Sequence, residues 1–178
     1  KNVIIISGNP TEQQNVLAVY AKKASRNGTN VIVIDPRETE MTRYANKWIR
    51  AAPNSQSNII SAISRAIFDL RYENTEYIKN NAQGLDDFKA SLWDFDLEKI
   101  RKDLSIEPTL IQGIAKTIST SETSFILGLD GLSDKQGSEL VKSVSNLAIM
   151  TGNLHKKGCG IFPLFKGANT QGSVDMGS

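Results

Sequence analysis

The residues best suited to chemistry are gathered near the end of the chain. Thr151-Gly152-Asn153-Leu154 leads through Gly158 and Gly160 to Pro163-Leu164, and Gly167-Ala168-Asn169-Thr170-Gln171-Gly172 then runs on to Asp175-Met176-Gly177. Backbone this dense in glycine can approach a ligand closely, and the Asn169 and Gln171 amides donate and accept in fixed directions. A second polar group, Asp35-Pro36-Arg37 with Thr39 and Glu40, follows an apolar run. An acidic residue there in a dinucleotide-binding unit can accept from ribose hydroxyls, and an arginine can meet a phosphate as a two-pronged donor. The same pair reads equally well as a helix-capping Asp beside a surface Arg. A third group, Gly8-Asn9-Pro10, holds one glycine and lacks G-x-G-x-x-G, so NAD or FAD in the usual mode is not expected.

Other reactive side chains assemble no site. His155 is the only histidine and lies in a Lys- and Gly-rich stretch without a carboxylate or cysteine partner, the setting of a solvated imidazole. Cys159, between two glycines, reads as a small filler in a turn, and as the only cysteine it excludes a disulfide framework and a cysteine-based cluster or zinc site. Asp86-Asp87 and the stretch from Asp94 to Glu98 read as charged helix starts and faces, and Trp48 and Trp93 as packing residues. No nucleophile, base and orienting group come together, so this segment alone is not expected to catalyse.

The elements that must position these groups alternate strand and helix. Val3 to Ser7 is a continuous β-branched run, the pattern of a parallel strand buried on both faces, and Val31 to Ile34 is a second. Between them a helix from about Glu12 to Asn27 is expected, capped by Thr11, with Val16, Leu17, Val19 and Tyr20 along it and Gly28 at its end. Further along, the spacing predicts a short helix over Glu38 to Ala45, a brief strand over Lys47 to Arg50 and a turn at Pro53-Asn54-Ser55. Helices are predicted over Ser57 to Leu70, Asn74 to Asn80, Leu85 to Leu92, Leu97 to Leu104 and from Pro108 through Ile118. Phe125 to Leu129 reads as a third buried strand, Gln136 to Met150 as a long helix, and the chain beyond Gly152 as loop. The fold class expected is α/β: a Rossmann-like, three-layer domain with a mostly parallel sheet flanked by helices and an extra helical segment in the middle. Ligands in such sheets sit beyond the carboxyl ends of the strands, here Gly8-Asn9-Pro10, Asp35-Pro36-Arg37 and Gly128-Leu129-Asp130.

The 178 residues suit one domain, 1–178, with a loop-rich tail over 151–178. Net charge is +2 with both signs dispersed, which gives no basic stripe for nucleic acid. No run approaches the ~20 apolar residues of a membrane span, so direct membrane insertion is not expected. A single cysteine suits a reducing, cytoplasmic setting. The chain starts at Lys1, one residue before a strand, and stops at Ser178 directly after a loop motif; it is read as an excised domain of a longer polypeptide.

In order and spacing these segments resemble the α/β domain of molybdopterin oxidoreductases, above all large subunits of the formate dehydrogenase type. Gly8-Asn9-Pro10-Thr11-Glu12 is similar to the family's G-x-N-P-x-E turn, and Asp35-Pro36-Arg37-Glu38-Thr39-Glu40 to its D-P-R-x-T-E segment. Ala45, Trp48 and Pro53 fall where the family has A-D, W and P-G-T-D, Tyr72 to Leu92 resembles its Y-x-x-x-[FY]-[IV] segment, and the tail resembles T-G-N, G-x-G, P-L and N-x-Q-G-x-x-D-M-G. The resemblance implies a domain that anchors one half of a bis(molybdopterin guanine dinucleotide) cofactor of molybdenum or tungsten. It places Gly8, Asn9 and Glu12 at the first loop, and Asp35, Pro36, Arg37 and Thr39 near the nucleotide. Ser55 and Gln56 stand at the P-G-T-D position, Gly128 and Asp130 at the W-G-M-G position, and Asn169 and Gln171 approach from the tail. Iron–sulfur clusters, the metal ligand and the catalytic histidine of the family would belong to other domains. Partners would be the other domains and subunits of an electron-transfer complex, cytoplasmic, and membrane-associated only through those subunits.

Three positions depart from the family pattern. Gln56 stands where the family has the Asp that faces the guanine edge, and an amide cannot accept from both guanine N–H groups as a carboxylate does. Asp130 brings a negative charge where the family brings glycine backbone towards a phosphate-bearing ligand, with Leu132 and Ser133 at two polar positions beyond. The tail reads G-A-N-x-Q-G, the shorter form resembling the related subunit of NADH–quinone oxidoreductase (NADH dehydrogenase), in which the domain persists as scaffold. A cofactor-free structural domain of the same fold, packed within a respiratory complex, is therefore the alternative.

Overall fold

Asn2-Val-Ile-Ile-Ile6 has no polar position after its first residue, and Ile4, Ile5 and Ile6 are wholly buried, as a parallel strand covered on both sides requires. The computed structural model describes residues 1–95, 97–154, 156–165, 167 and 169–177, without the side chains of Lys99, Gln171 and Val174. His155 lies outside the described residues. Strands β1 (Asn2–Ile6), β2 (Asn30–Ile34), β3 (Lys47–Ile49), β4 (Thr123–Gly128) and β5 (Gly160–Leu164) form one sheet in the order β3-β2-β1-β4-β5. Every pairing is parallel, with Ile6 beside Ile34 on one side and Leu127 on the other. All carboxyl ends therefore share one edge, with the order reversing at β1, and the expected α/β class is what the chain adopts.

The helices are α1 (Pro10–Gln13), α2 (Asn15–Arg26), α3 (Gln56–Asp69), α4 (Thr75–Asn81), α5 (Leu85–Ser91), α6 (Leu97–Leu104), α7 (Pro108–Thr120), α8 (Asp134–Met150) and α9 (Thr170–Asp175). A 3-10 helix, Glu40–Tyr44, joins β2 to β3. Local sequence explains the boundaries. Pro108 opens α7 where its missing N–H costs nothing, Asn74 Oδ1 accepts from Tyr77 N–H at 2.9 Å ahead of α4, and Ser133 with Gln136 forms a capping box on α8. One face of the sheet, through Ile4, Ile6, Ile32, Ile34, Phe125 and Leu127, packs under α3, α7 and α8. The opposite face, through Ile5, Val31, Val33 and Ile126, meets Ala21 of α2 and Met41 of the 3-10 helix. The helices α4 to α6 are the extra helical segment expected in the middle of the chain.

Four expectations need correction. The first crossover is broken at Gln14 (φ −138°, ψ 63°), whose Nε2 donates to the Phe165 carbonyl at 2.9 Å and so ties the break to the end of β5. On α2 only Ala18 and Ala21 are buried; Val16, Val19 and Tyr20 are exposed, because small residues let the helix sit close on the sheet while the larger ones turn outward. The stretch beyond Gly152 is not all loop: it forms β5 and α9. Pro163 is tolerated within β5 because this strand borders the sheet and pairs only with β4. Trp48 does pack, whereas Trp93 is 74% exposed beneath the Arg65 guanidinium, 4.9 Å from its ring. Among the described residues no helix is long and apolar enough to cross a membrane.

Candidate functional site

Where β1, β2 and β4 end, their loops enclose a crevice of ≈ 230 Å³ lined by Ser7, Asp35, Pro36, Arg37, Pro53, Asn54, Gln56, Asp130, Gly131 and Leu132. Its shape rests on a close crossing of two strand ends. A Cβ on Gly128 would collide with the Ser7 carbonyl oxygen and the Gly8 backbone, so β4 can lie this near β1 only with glycine. A Cβ on Gly8 would stand 3.3 Å from Gly128 N.

Asp35 forms the floor and is 1% exposed. Its Oδ1 accepts from the Arg37 backbone N–H at 2.8 Å and lies 3.5 Å from Arg37 Nε, while Trp48 Nε1 donates to its carbonyl at 2.9 Å. Among the described residues Asp35 Oδ2 has no partner, and neither has Ser7 Oγ, which follows the adjoining strand. Buried polar atoms are nearly always paired, so two neighbours without partners mark a place for a ligand or water. The Arg37 side chain is exposed, tethered through Nε, and its terminal nitrogens meet no carboxylate among the described residues. Gln56, the first residue of α3, is buried against the crevice, and exposed Asp130 forms the facing lip. Acceptors on the floor, a cation at the rim and an amide in the wall can bind and orient a polar ligand with hydroxyl and phosphate groups; no nucleophile and base are paired here. Among the described residues no group of three or more His, Cys, Asp or Glu side chains could hold a metal ion.

The remaining sequence-expected residues fall outside the crevice lining. Asn9 is buried at the start of α1, where Thr11 Oγ1 donates to its Oδ1 and its carbonyl accepts from Glu12 N–H at 3.1 Å. Glu12 is exposed on α1. Thr39 is buried ahead of the 3-10 helix, its carbonyl accepting from Thr42, and its Oγ1 has no partner. Ser55 Oγ donates to the Ala52 carbonyl at 2.7 Å, fixing the turn before α3. Asn169 precedes α9, accepts at its carbonyl from Ser173 N–H at 2.9 Å and lies with its side chain against Gly172; the Gln171 side chain is outside the described residues. Thr151 and Asn153 belong to the opposite edge of the sheet, where the Asn153 amide joins Thr123, Ile118 and Thr151.

Sequence reasoning missed Ser7, Asn54 and Gly131 as parts of the crevice. All three have positive φ, 54°, 65° and 80°. For Gly131 the residue type hints at it; for Ser7 nothing local does, and its carbonyl packs against Gly128 across the sheet. A larger slot of ≈ 440 Å³ lies between α2 and the β4–β5 side of the sheet, lined by Leu17, Tyr20, Ile126 and Phe162 among others, and its walls are almost wholly apolar. It offers little to direct a polar ligand, and the smaller crevice is the better candidate site.

Known proteins resemble this chain in sequence and in fold. The chain is 33% identical over 177 residues to F420-dependent formate dehydrogenase 1 subunit alpha of Methanococcus maripaludis, covering 99% of this chain and 26% of that protein. It is 27% identical over 177 residues to formate dehydrogenase H of Escherichia coli, covering 99% of this chain and 25% of that one. The solved structure of acetylene hydratase from Pelobacter acetylenicus has the same fold, with a TM-score of 0.79 at 18% identity over 86% of this chain and 22% of the other. The chain thus spans about a quarter of the length of the curated relatives it matches. The family model for molybdopterin oxidoreductases matches residues 1–177, and with the D-P-R segment at the end of β2 and the glycine crossing at the end of β4, the chain belongs to the molybdopterin oxidoreductase family.

Proposed function

We propose that this chain is the nucleotide-anchoring domain of a formate dehydrogenase-like enzyme, one domain of a longer polypeptide, and that its crevice holds the guanosine end of a molybdopterin guanine dinucleotide. The observation that carries the reading is the buried Asp35 Oδ2, without a partner among the described residues, in a crevice that is also lined by Ser7, whose Oγ likewise lacks one. A ligand bearing hydroxyl donors answers that demand, and the phosphates of a dinucleotide answer the tethered Arg37 at the rim. Asp35 would accept from the sugar, Arg37 would meet a phosphate, Gln56 would face the base, and the Gly8–Gly128 crossing would keep the strand ends close enough to form one wall. The bound group would supply the redox chemistry at molybdenum or tungsten; this chain would bind and orient it. Iron–sulfur clusters and the substrate pocket would lie in other domains or subunits of a cytoplasmic electron-transfer complex.

A cofactor-free scaffold, of the type found in the related subunit of NADH–quinone oxidoreductase, is the second reading, favoured by two observations. Gln56, not a carboxylate, lines the crevice, and Asp130 adds negative charge to its lip. Calorimetric titration with GMP and GDP, with AMP as control, separates the two. Guanine-selective binding is expected on the first reading, and no binding of any nucleotide on the second. Gln56→Asp should strengthen GMP binding roughly tenfold, since a carboxylate takes both guanine N–H groups; an unchanged affinity would remove Gln56 from the base site.

A further inference from the structure

We infer that Ser7 is a ribose-recognition residue, its hydroxyl acting together with Asp35 Oδ2 to hold one sugar hydroxyl of the nucleotide. The inference rests on the reading of the crevice as a nucleotide site. Ser7 follows β1 with φ 54°, a left-handed conformation that residues other than glycine adopt at a cost. Its N–H donates to the Ile34 carbonyl at 2.9 Å, and its own carbonyl lies so close to Gly128 that a Cβ there would collide with it. Glycine would fit this backbone without strain, yet the chain places a hydroxyl here, and that hydroxyl is buried without a partner.

Ile6 pairs with Ile34, so Ser7 and Asp35 are the residues that follow two adjacent strands, and both belong to the loops that line the crevice. Both residues line the crevice, and Ser7 Oγ and Asp35 Oδ2 each lack a partner among the described residues. Their demands are complementary, since a carboxylate only accepts whereas a hydroxyl can donate as well. A ligand hydroxyl would donate to Asp35 Oδ2 and accept from Ser7 Oγ, satisfying both at once. A phosphate oxygen has no proton to give and would set a second negative charge against Asp35. The pair therefore selects a sugar hydroxyl and should distinguish a ribonucleotide from its deoxy form.

The test is calorimetric titration of the chain, as wild type, Ser7→Gly and Ser7→Ala, with GMP, 2′-deoxy-GMP and 3′-deoxy-GMP, and with AMP. Wild type is expected to bind GMP roughly tenfold more tightly than one of the two deoxy analogues, the size of one hydrogen bond to a charged group. In both variants GMP should weaken roughly fivefold, while that analogue should hardly change. Ser7→Gly should also melt at a higher temperature than wild type, because the strain is relieved, whereas Ser7→Ala should not. Equal binding of GMP and both deoxy analogues by wild type would overturn the inference and make the occupant of the pair a water. An undiminished ribose preference in Ser7→Gly and Ser7→Ala would overturn the role of Ser7. Equal binding of AMP and GMP with the ribose preference intact would sink the guanine reading and leave the Ser7 role standing; no nucleotide binding at all would sink both.

Discussion

Two polar sites lie buried at opposite edges of the same sheet, and they are finished differently. At the amino edge, Asn153 is 1% exposed and fully engaged: its Oδ1 accepts from Thr123 N–H at 3.1 Å, and its Nδ2 donates to the Ile118 carbonyl at 3.2 Å and to Thr151 Oγ1 at 2.9 Å. Thr151 Oγ1 in turn donates to the Leu147 carbonyl at 2.7 Å, so the ends of α7 and α8 and the start of β4 are clamped through two side chains. At the carboxyl edge, Asp35 is as deeply buried, yet one of its oxygens and the neighbouring Ser7 hydroxyl have no partner. The amino-edge cluster completes the protein's own hydrogen bonding; the carboxyl-edge cluster leaves part of it for something else. Burial alone does not separate a joint from a site, but the state of the hydrogen bonds does.

Breaking the amino-edge joint should have the largest effect. Asn153→Ala removes three hydrogen bonds and leaves the Thr123 N–H buried without an acceptor. It should cost about 3 kcal/mol in denaturant unfolding, and any folded variant should bind GMP as wild type does. A variant of normal stability would show that the joint is not what closes this edge.

Gly128→Ala strikes the carboxyl edge through its backbone. The new Cβ meets the Ser7 carbonyl and the Gly8 backbone, neither of which is the free end of a side chain, so a strand end must shift. A loss of about 2 kcal/mol is expected, together with weakened nucleotide binding, because the same shift moves Ser7 away from Asp35. Lost stability with undiminished binding would detach the glycine crossing from the site.

These edges were unequally legible. Runs such as Ile4-Ile5-Ile6 and Val31-Ile32-Val33-Ile34 announce strands buried on both faces, and Pro108 and the Ser133–Gln136 pair announce helix starts, so the parallel sheet and most helices follow from local chemistry. The Asp35-Pro36-Arg37 turn was legible as a polar group at a strand end, and the structure does place it in the crevice. What local pattern could not show is which polar residues the protein uses up itself. Thr151-Gly152-Asn153 and Asn169 have the composition of a ligand loop, but Asn153 is consumed by contacts with residues 30 and 35 positions earlier, and Asn169 sits against its own helix. Ser7 is the converse case: its carbonyl packs against Gly128, distant in sequence, and a serine gives no sign of a left-handed backbone.

Asp35→Asn gives the signature opposite to the joint. Asn keeps an oxygen to accept the Arg37 N–H now bonded to Oδ1, and it replaces an unpartnered buried carboxylate oxygen with a neutral amide. Stability in denaturant should be unchanged or raised by up to about 1 kcal/mol. The amide nitrogen can no longer accept from a sugar hydroxyl, so GMP affinity should fall roughly tenfold. Reduced stability with unchanged affinity would turn Asp35 into a second structural joint and erase the distinction between the edges.

Thr39→Val makes the smallest and sharpest comparison, because Thr151→Val is its control. Both threonines are buried at single-digit exposure, 7% and 2%, and the substitution swaps one hydroxyl for a methyl at each. Thr151 Oγ1 donates to Leu147 and accepts from Asn153, so its loss should cost about 1 to 2 kcal/mol. Thr39 Oγ1 has no partner to lose, and a methyl of similar shape removes a buried polar atom, so its loss should fall within about 0.5 kcal/mol of neutral. Thr39 does not line the crevice, and GMP affinity should stay the same. A measurable drop in affinity would enlarge the site to the start of the 3-10 helix, and a drop in stability equal to that of Thr151→Val would mean that an unpartnered buried hydroxyl is no guide to where this protein meets its ligand.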